Sequence, residues 1–204
     1  DLFAVLLAGA TAMLPVYARD ILMVGPDGLG QLRAAPAVGA SVVALMLTFR
    51  PLRHNVGAKM LWAVVVFGLA TIGFGVSHEI GVHVFSDARI GFLNMGAGMA
   101  VALVMLIVLG ASDMLSVYVR SSLVQLNTPD DMRGRVSSVS GLAISASNEL
   151  GELQSGLAAA VLGPVGAVVF GGFGAIFVTA IWAGLFPELK NARTFEPQYR
   201  GKSP

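Results

Sequence analysis

The sequence predicts an all-α membrane protein, in which six transmembrane helices form two inverted repeats of three helices each. The first observation behind this prediction is composition: of the 204 residues, 55% are hydrophobic and only 12% are charged. An ordinary soluble domain carries about 25% charged residues, so the composition argues against a water-soluble enzyme and against a nucleic-acid-binding protein. The second observation is a series of uncharged apolar segments, and the third is an internal repeat.

The apolar segments have the length of membrane-spanning helices, since about 20 apolar residues cross a hydrocarbon core of about 30 Å. They are continuously apolar, without the alternation that a membrane β-barrel requires. The longest uncharged run, residues 153–187, exceeds one span, and Gly163-Pro164 is the natural turn that divides it. The predicted spans are residues 1–22, 29–50, 59–77, 97–126, 131–162 and 165–186, which form one bundle over residues 1–189 with a tail at 190–204.

Basic residues predict the orientation of these spans. They are concentrated in the second-to-third loop, the fourth-to-fifth loop and the tail, whereas the opposite loops mix Arg with Asp and Glu. Because cytoplasmic loops carry an excess of Lys and Arg, we expect both termini and these two loops to be cytoplasmic. The basic residues of the two loops are Arg50, Arg53, Lys59, Arg133 and Arg135.

An internal repeat relates the first span to the fourth. Residues 9–22 and 110–123 are identical at eight of fourteen positions, including a Tyr-x-Arg element, and a Pro-Asp pair follows each copy. The repeated unit is therefore three helices. An odd number of spans places the two copies in opposite orientations, and such inverted repeats are typical of secondary transporters.

With these features, the sequence resembles the C-terminal half of a major facilitator superfamily transporter, in the branch of enterobactin-exporter-like and drug-efflux proteins. The resemblance extends from residue 1 to about 189, and its most specific segment is Thr-Pro-Asp-Asp-Met-Arg-Gly-Arg-Val at 128–136. One motif departs from the family: the loop after the second span reads His54-Asn55-Val56-Gly57-Ala58-Lys59 instead of Asp-Arg-x-Gly-Arg-Arg/Lys. This departure puts in doubt the conformational lock expected of that loop. The other matching segments are residues 1–7, 32–39, 120–126 and 147–152.

The resemblance implies a secondary active transporter that exports small organic molecules, such as siderophores or drugs, by alternating access in exchange for protons. It implies a bacterial inner-membrane location, no enzymatic activity, and a missing N-terminal six-helix half as partner, besides lipid, substrate and protons. The first helix of each repeat would line the central cavity. The alternatives are an uncoupled facilitator or importer of the same fold, and a polytopic membrane scaffold or enzyme.

Charged residues inside the spans are the first candidate functional groups, because each costs at least about 2.5–3.5 kcal/mol at mid-bilayer. Asp113 lies near the middle of the fourth span, and Arg120 follows two turns later on the same face. We expect Asp113 to bind a proton or a cationic substrate group, with Arg120 tuning it. The alternative is a structural contact for Asp113, while Arg120 extends to the interface.

A second candidate lies in the fifth span, where Glu149 and Glu152 share one face and Asn148 adds a hydrogen-bonding group. Ionising both of two neighbouring carboxylates in a low dielectric is unfavourable in free energy, so one is expected to carry a proton. The interpretations are a proton-coupling site, a polar seam against the missing half, or a hydrogen-bond network within the bundle.

The remaining candidates lie along the cavity-lining helices and in the fourth-to-fifth loop. Pro15, Tyr17 and Tyr118 are expected to line the cavity. Arg133, Arg135 and Asp130 are expected to anchor anionic lipid headgroups or to pair with each other, with a conformational latch as the alternative. Thr128 and Pro129 read as a helix start. The chain has no cysteine, no cofactor is expected, and we expect a solvated loop rather than a metal site at His78, Glu79 and His83.

Overall fold

The fold is seen in a computed structural model that describes residues 10–52, 55–85, 89–90 and 95–185. Within these residues it consists of helices joined by short turns, apart from a ladder in which β1 (Arg89–Ile90) pairs antiparallel with β2 (Met95–Gly96). We number the helices α1 (residues 10–21), α2 (Gly25–Phe49), α3 (Val56–Gly75), α4 (Ser77–Phe85), α5 (Ala97–Leu126), and then α6 and α7, the two parts of a helical segment at Arg133–Leu185.

The segment Arg133–Leu185 is interrupted at Gly163, whose φ of 76° and ψ of 166° are not helical. As one helix of 53 residues it would be about 80 Å long, far more than a bilayer core. The prediction of a turn at Gly163-Pro164 is confirmed, and α6 covers residues 133–162 while α7 covers 164–185.

Among the residues that the structure describes, four helical segments are long and apolar enough to cross a membrane: α2, α3, α5 and the divided segment Arg133–Leu185. This finding is compatible with an integral membrane protein. The arrangement of six spans as inverted repeats stays a prediction.

Several helix boundaries differ from those predicted, for local reasons. The first span is irregular: a 3-10 turn (Ala10–Met13) leads through Pro15 to a π-helical turn (Tyr17–Ile21). Helix α2 begins four residues early, with Pro26 in its first turn. The expected helix start at Thr128 is wrong: its hydroxyl donates to the carbonyl of Val124 (2.6 Å), and the next helix starts at Arg133.

One helix was not predicted. Residues expected to form a solvated loop instead form α4, which packs against α5, and His78, Glu79 and His83 lie exposed on it. Some predictions fall outside the described residues and stay predictions. They concern residues 1–9, Arg53, His54 and the tail at 190–204.

The loops after α2 and α5 lie at the same end of the bundle, which we call the basic end. There, Val56 and Met60 of α3 pack against Val119 of α5. At the opposite end, Gly98 lies against Ser77, His78 and Leu22. The basic residues of the two predicted cytoplasmic loops therefore share one end of the molecule, as far as these loops are described.

Helices α3 and α7 cross backbone to backbone. A Cβ atom at Gly68 would lie 2.9 Å from the carbonyl oxygen of Gly172, and a Cβ at Gly172 would lie 2.8 Å from that of Gly68. Gly68 also faces Ile176, and Gly172 faces Ile72. Because the partners advance in opposite sequence directions, the two helices are antiparallel, and small residues permit the close approach.

Helix α5 is central and packs against α2, α3 and α4. Where it crosses α2, the backbones approach closely at Pro36 and Gly110, leaving no room for a side chain at Gly110. The outward faces of α2 and α6 are by contrast apolar and exposed, a surface that requires lipid or further protein to cover it. Their exposed large residues are Val38, Val42, Leu45, Met46, Phe49, Val139, Leu142, Leu150, Leu153, Leu157, Val161 and Leu162.

Candidate functional site

A polar stripe along α5 is the centre of the candidate site. Asp113, Ser116 and Arg120 follow at helical spacings of three and four residues, so they occupy one side of the helix. Asp113 and Arg120 are half-buried, and the guanidinium and the carboxylate interact electrostatically. The structure thus places the two charges predicted to act together on one side of α5, within electrostatic range of each other. Their opposite signs reduce the cost of keeping both in an apolar helix.

The repeat partner of Arg120 behaves differently. Arg19 donates from Nε to a carboxylate oxygen of its neighbour Asp20 at 2.8 Å, and both side chains are exposed. Since Ala12 occupies the position equivalent to Asp113, an interaction like that of Asp113 with Arg120 is not available to the first copy. The Asp113–Arg120 pair is therefore specific to the second repeat.

Two buried polar atoms, one on the polar stripe of α5 and one on α6, were missed from the sequence. The Ser116 hydroxyl oxygen and the Gln154 side-chain oxygen are buried, and neither has a hydrogen-bond partner in the described part of the chain. An unsatisfied buried polar atom costs about 1–3 kcal/mol, so each is a position where a polar group of a ligand would be stabilised. The only indication of them in the sequence concerned Ser116, which occupies the position of Pro15 in the first copy of the repeat.

The carboxylates of α6 lie away from this stripe. Glu149, Glu152 and Asn148 are exposed on the outward face of α6, while Gly151 and Ser155 on the inward face are buried. The structure therefore does not join Glu149 or Glu152 to the core of the bundle. Their place among exposed apolar residues is compatible with a seam against further protein, and both the seam and the proton-coupling site stay predictions.

The predicted cavity-lining residues occupy three different environments. Tyr17 is fully buried: its hydroxyl donates to the Gly75 carbonyl (2.8 Å) and its ring centroid lies 4.4 Å from that of Phe74. Tyr17 therefore ties α1 to the end of α3, a core position that does not support a cavity-lining role. Pro15 is exposed, and Tyr118 is half-buried beside the cluster at the basic end.

A groove of about 570 Å³ lies between the last third of α5 and the first third of α6, at the basic end. Arg120 and Arg133 both line it, whereas Arg135 does not. The predicted pairing within the loop is present, since Arg133 contacts the Asp130 carboxylate at 2.7 Å. The residues that line the groove are Arg120, Ser121, Val124, Gln125, Thr128, Arg133, Gly134, Val136, Ser137, Ser140, Gly141, Ala143 and Ile144.

The described residues contain no group of three or more His, Cys, Asp or Glu side chains that could hold a metal ion. Comparison of the chain with known protein families, with curated proteins and with solved structures finds no match.

Proposed function

We propose that the chain is the C-terminal half of a secondary active transporter of the major facilitator type, exporting small organic molecules such as siderophores or drugs in exchange for protons. The observation that carries the proposal is the reciprocal crossing of α3 and α7. Gly68 meets Gly172 and Ile176, while Gly172 meets Gly68 and Ile72.

Such swapped contacts are what a local two-fold axis between two helices produces. Helices α3 and α7 are the third members of the two predicted repeats, so they are the helices that an inverted repeat would relate. Gly68 and Gly172 are 104 residues apart, close to the 101 residues that separate Tyr17 from Tyr118 in the sequence repeat. An axis of this kind in the membrane plane is a property of many secondary transporters.

The distribution of charge supports the proposed orientation. Arg50, Lys59, Arg133 and Arg135 lie on loops or helix starts at the basic end. By the positive-inside rule, the basic end would face the cytoplasm of a bacterial cell, with both termini on the same side.

In this proposal, Asp113 is the group that takes up a proton or a cationic part of the substrate. Arg120 stabilises the ionised carboxylate, so proton uptake at Asp113 changes the balance of charge on α5. Glu149 and Glu152 would face the N-terminal half across the seam, and the substrate would bind between the halves. Alternating access then moves one half against the other around this site.

The test is transport by the complete protein in proteoliposomes, with ethidium as the probe and an imposed pH gradient as the driving force. We expect Asp113→Asn to remove at least 90% of the gradient-driven transport rate. This loss corresponds to an activation barrier for transport that is higher by about 1.4 kcal/mol or more. Asp131→Asn, which changes an exposed loop carboxylate, is the matched control and should transport normally. The coupling assignment is wrong if Asp113→Asn and Glu149→Gln both retain proton-driven efflux. Efflux that ignores the gradient in the unmodified protein would indicate a facilitator.

A further inference from the structure

We propose that the groove between α5 and α6 binds the phosphodiester headgroup of an anionic membrane lipid. The proposal rests on the protein lying in a membrane, but it does not depend on the direction or the coupling of transport. Arg120 of α5 and Arg133 of α6 line the groove from its two walls, and none of the side chains assigned to its described lining is acidic. Two guanidinium groups across one groove favour a ligand with negative charge.

The hydrogen-bonding groups of the groove suit phosphate oxygens. Ser137 and Ser140 lie three residues apart on the α6 wall, and Ser121 lies on the α5 wall. Hydroxyl groups donate to phosphate oxygens, and guanidinium groups bind them through two parallel hydrogen bonds. The first turn of α6, at Arg133 and Gly134, adds the positive end of a helix dipole to the mouth of the groove.

The carboxylates near the two arginines leave donors for a ligand. Asp130 contacts Arg133 at the exposed rim, and Asp113 interacts electrostatically with Arg120 from within α5. Each guanidinium carries five N–H donors, more than one carboxylate uses. A phosphodiester between the walls would therefore share both cations with these acids rather than displace them.

The groove also has room for a headgroup, and the change in its lining indicates where the acyl chains of a lipid would lie. A Cβ atom built on Gly134 or on Gly141 meets nothing within 4 Å. A volume of about 570 Å³ lies in the range of small-molecule sites. Since α6 runs away from the basic end, Ala143 and Ile144 lie deeper than Arg133 by about 15–16 Å. The lining thus changes from polar at the mouth to partly apolar inside, as an amphipathic ligand requires.

The experiment measures lipid binding to the complete protein in dodecyl maltoside by native mass spectrometry, with phosphatidylglycerol as the ligand and phosphatidylcholine as the reference. We expect saturable, preferential binding of phosphatidylglycerol. Arg120→Gln and Arg133→Gln should each weaken it about fivefold, the equivalent of about 1 kcal/mol per basic residue. Arg135→Gln is the matched control, since Arg135 lies two residues from Arg133 outside the groove lining, and should change binding less than twofold.

A steric variant tests the same site without changing charge. Gly141→Leu should fill the groove and weaken phosphatidylglycerol binding at least fivefold, whereas Gly184→Leu, at another open position, should not.

Equal effects of Arg133→Gln and Arg135→Gln, or unchanged binding in Gly141→Leu, would overturn the site. Competition by millimolar inorganic phosphate would show that the groove binds free phosphate rather than a lipid, and would overturn the proposed ligand. If an arginine variant does not fold, the proposal is decided by Gly141→Leu and by the lipid preference of the unmodified protein. Because no transport is measured, failure of the proposed function would leave this result unaffected.

Discussion

The crossing of α3 and α7 predicts a specific pattern of stability in three variants. In Gly68→Ala, the new Cβ would lie 2.9 Å from the Gly172 carbonyl oxygen and 2.6 Å from Cγ1 of Ile176. In Gly172→Ala, the corresponding distances are 2.8 Å to the Gly68 carbonyl oxygen and 2.6 Å to Cγ1 of Ile72. An isoleucine can change rotamer, but a helix carbonyl cannot, so each variant forces the helices apart.

The magnitude follows from two opposing terms. Overpacking costs about 1–3 kcal/mol, and replacing a mid-helix glycine by alanine recovers about 0.5–1 kcal/mol. We therefore expect each single variant to lower the free energy of unfolding by about 1–2 kcal/mol, and by similar amounts because the contacts are reciprocal. Once Gly68→Ala has separated the helices, Gly172→Ala has less to displace, so the double variant should cost less than the sum of the single variants.

The assay is unfolding of the complete protein in mixed micelles of dodecyl maltoside and SDS, followed by tryptophan fluorescence. Trp62 lies on α3 and Trp182 on α7, and they are the two tryptophans of the chain. Any tryptophan outside the chain is replaced by phenylalanine, so that the signal reports on these two helices. Gly184→Ala, where a Cβ meets nothing within 4 Å, is the control and should be neutral or stabilising. Neutral single variants, or a strictly additive double variant, would refute the proposed close crossing.

Two further predictions concern the fold. Tyr17→Phe should lower the free energy of unfolding by about 1 kcal/mol in the same assay, because the Gly75 carbonyl loses its hydrogen bond; no change would contradict the core position of Tyr17. Gly163→Ala should cost about 1–3 kcal/mol, because a φ of 76° with ψ of 166° is essentially restricted to glycine. Gly156→Ala, at an open helical position with negative φ, is its control, and equal effects of the two would refute the break between α6 and α7.

Apolar length was sufficient to locate most of the helices from the sequence. Three features fall within a few residues of their predicted positions: the ends of α3, the ends of α5 and the break at Gly163. The reason is that Gly-Pro pairs and charged loops interrupt apolar runs sharply. Hydropathy is less informative about short amphipathic segments. It therefore missed α4, and it placed the start of α6 too early because Thr128 bonds backward to Val124 instead of capping the next helix.

The direction in which each side chain points was harder to predict, because it depends on which helices pack together. Asp113 and Glu149 look alike in the sequence, since each is an acid within an apolar span. Yet Asp113 is half-buried with Arg120, while Glu149 lies on an exposed face. The groove at the basic end likewise arises from residues of two helices, and neither helix contains it alone.

The membrane topology is the central claim, and single-cysteine labelling measures it most directly. The chain contains no cysteine, so once any cysteine outside it is replaced by serine, a membrane-impermeant maleimide reacts only where one is introduced. In intact cells, we expect labelling at Asp27→Cys and Glu79→Cys and protection at Asn55→Cys and Asp131→Cys, with all four labelled after the membrane is permeabilised. Labelling of Asn55→Cys and Asp131→Cys on opposite sides, or of Asp27→Cys on the same side as Asn55→Cys, would contradict the account.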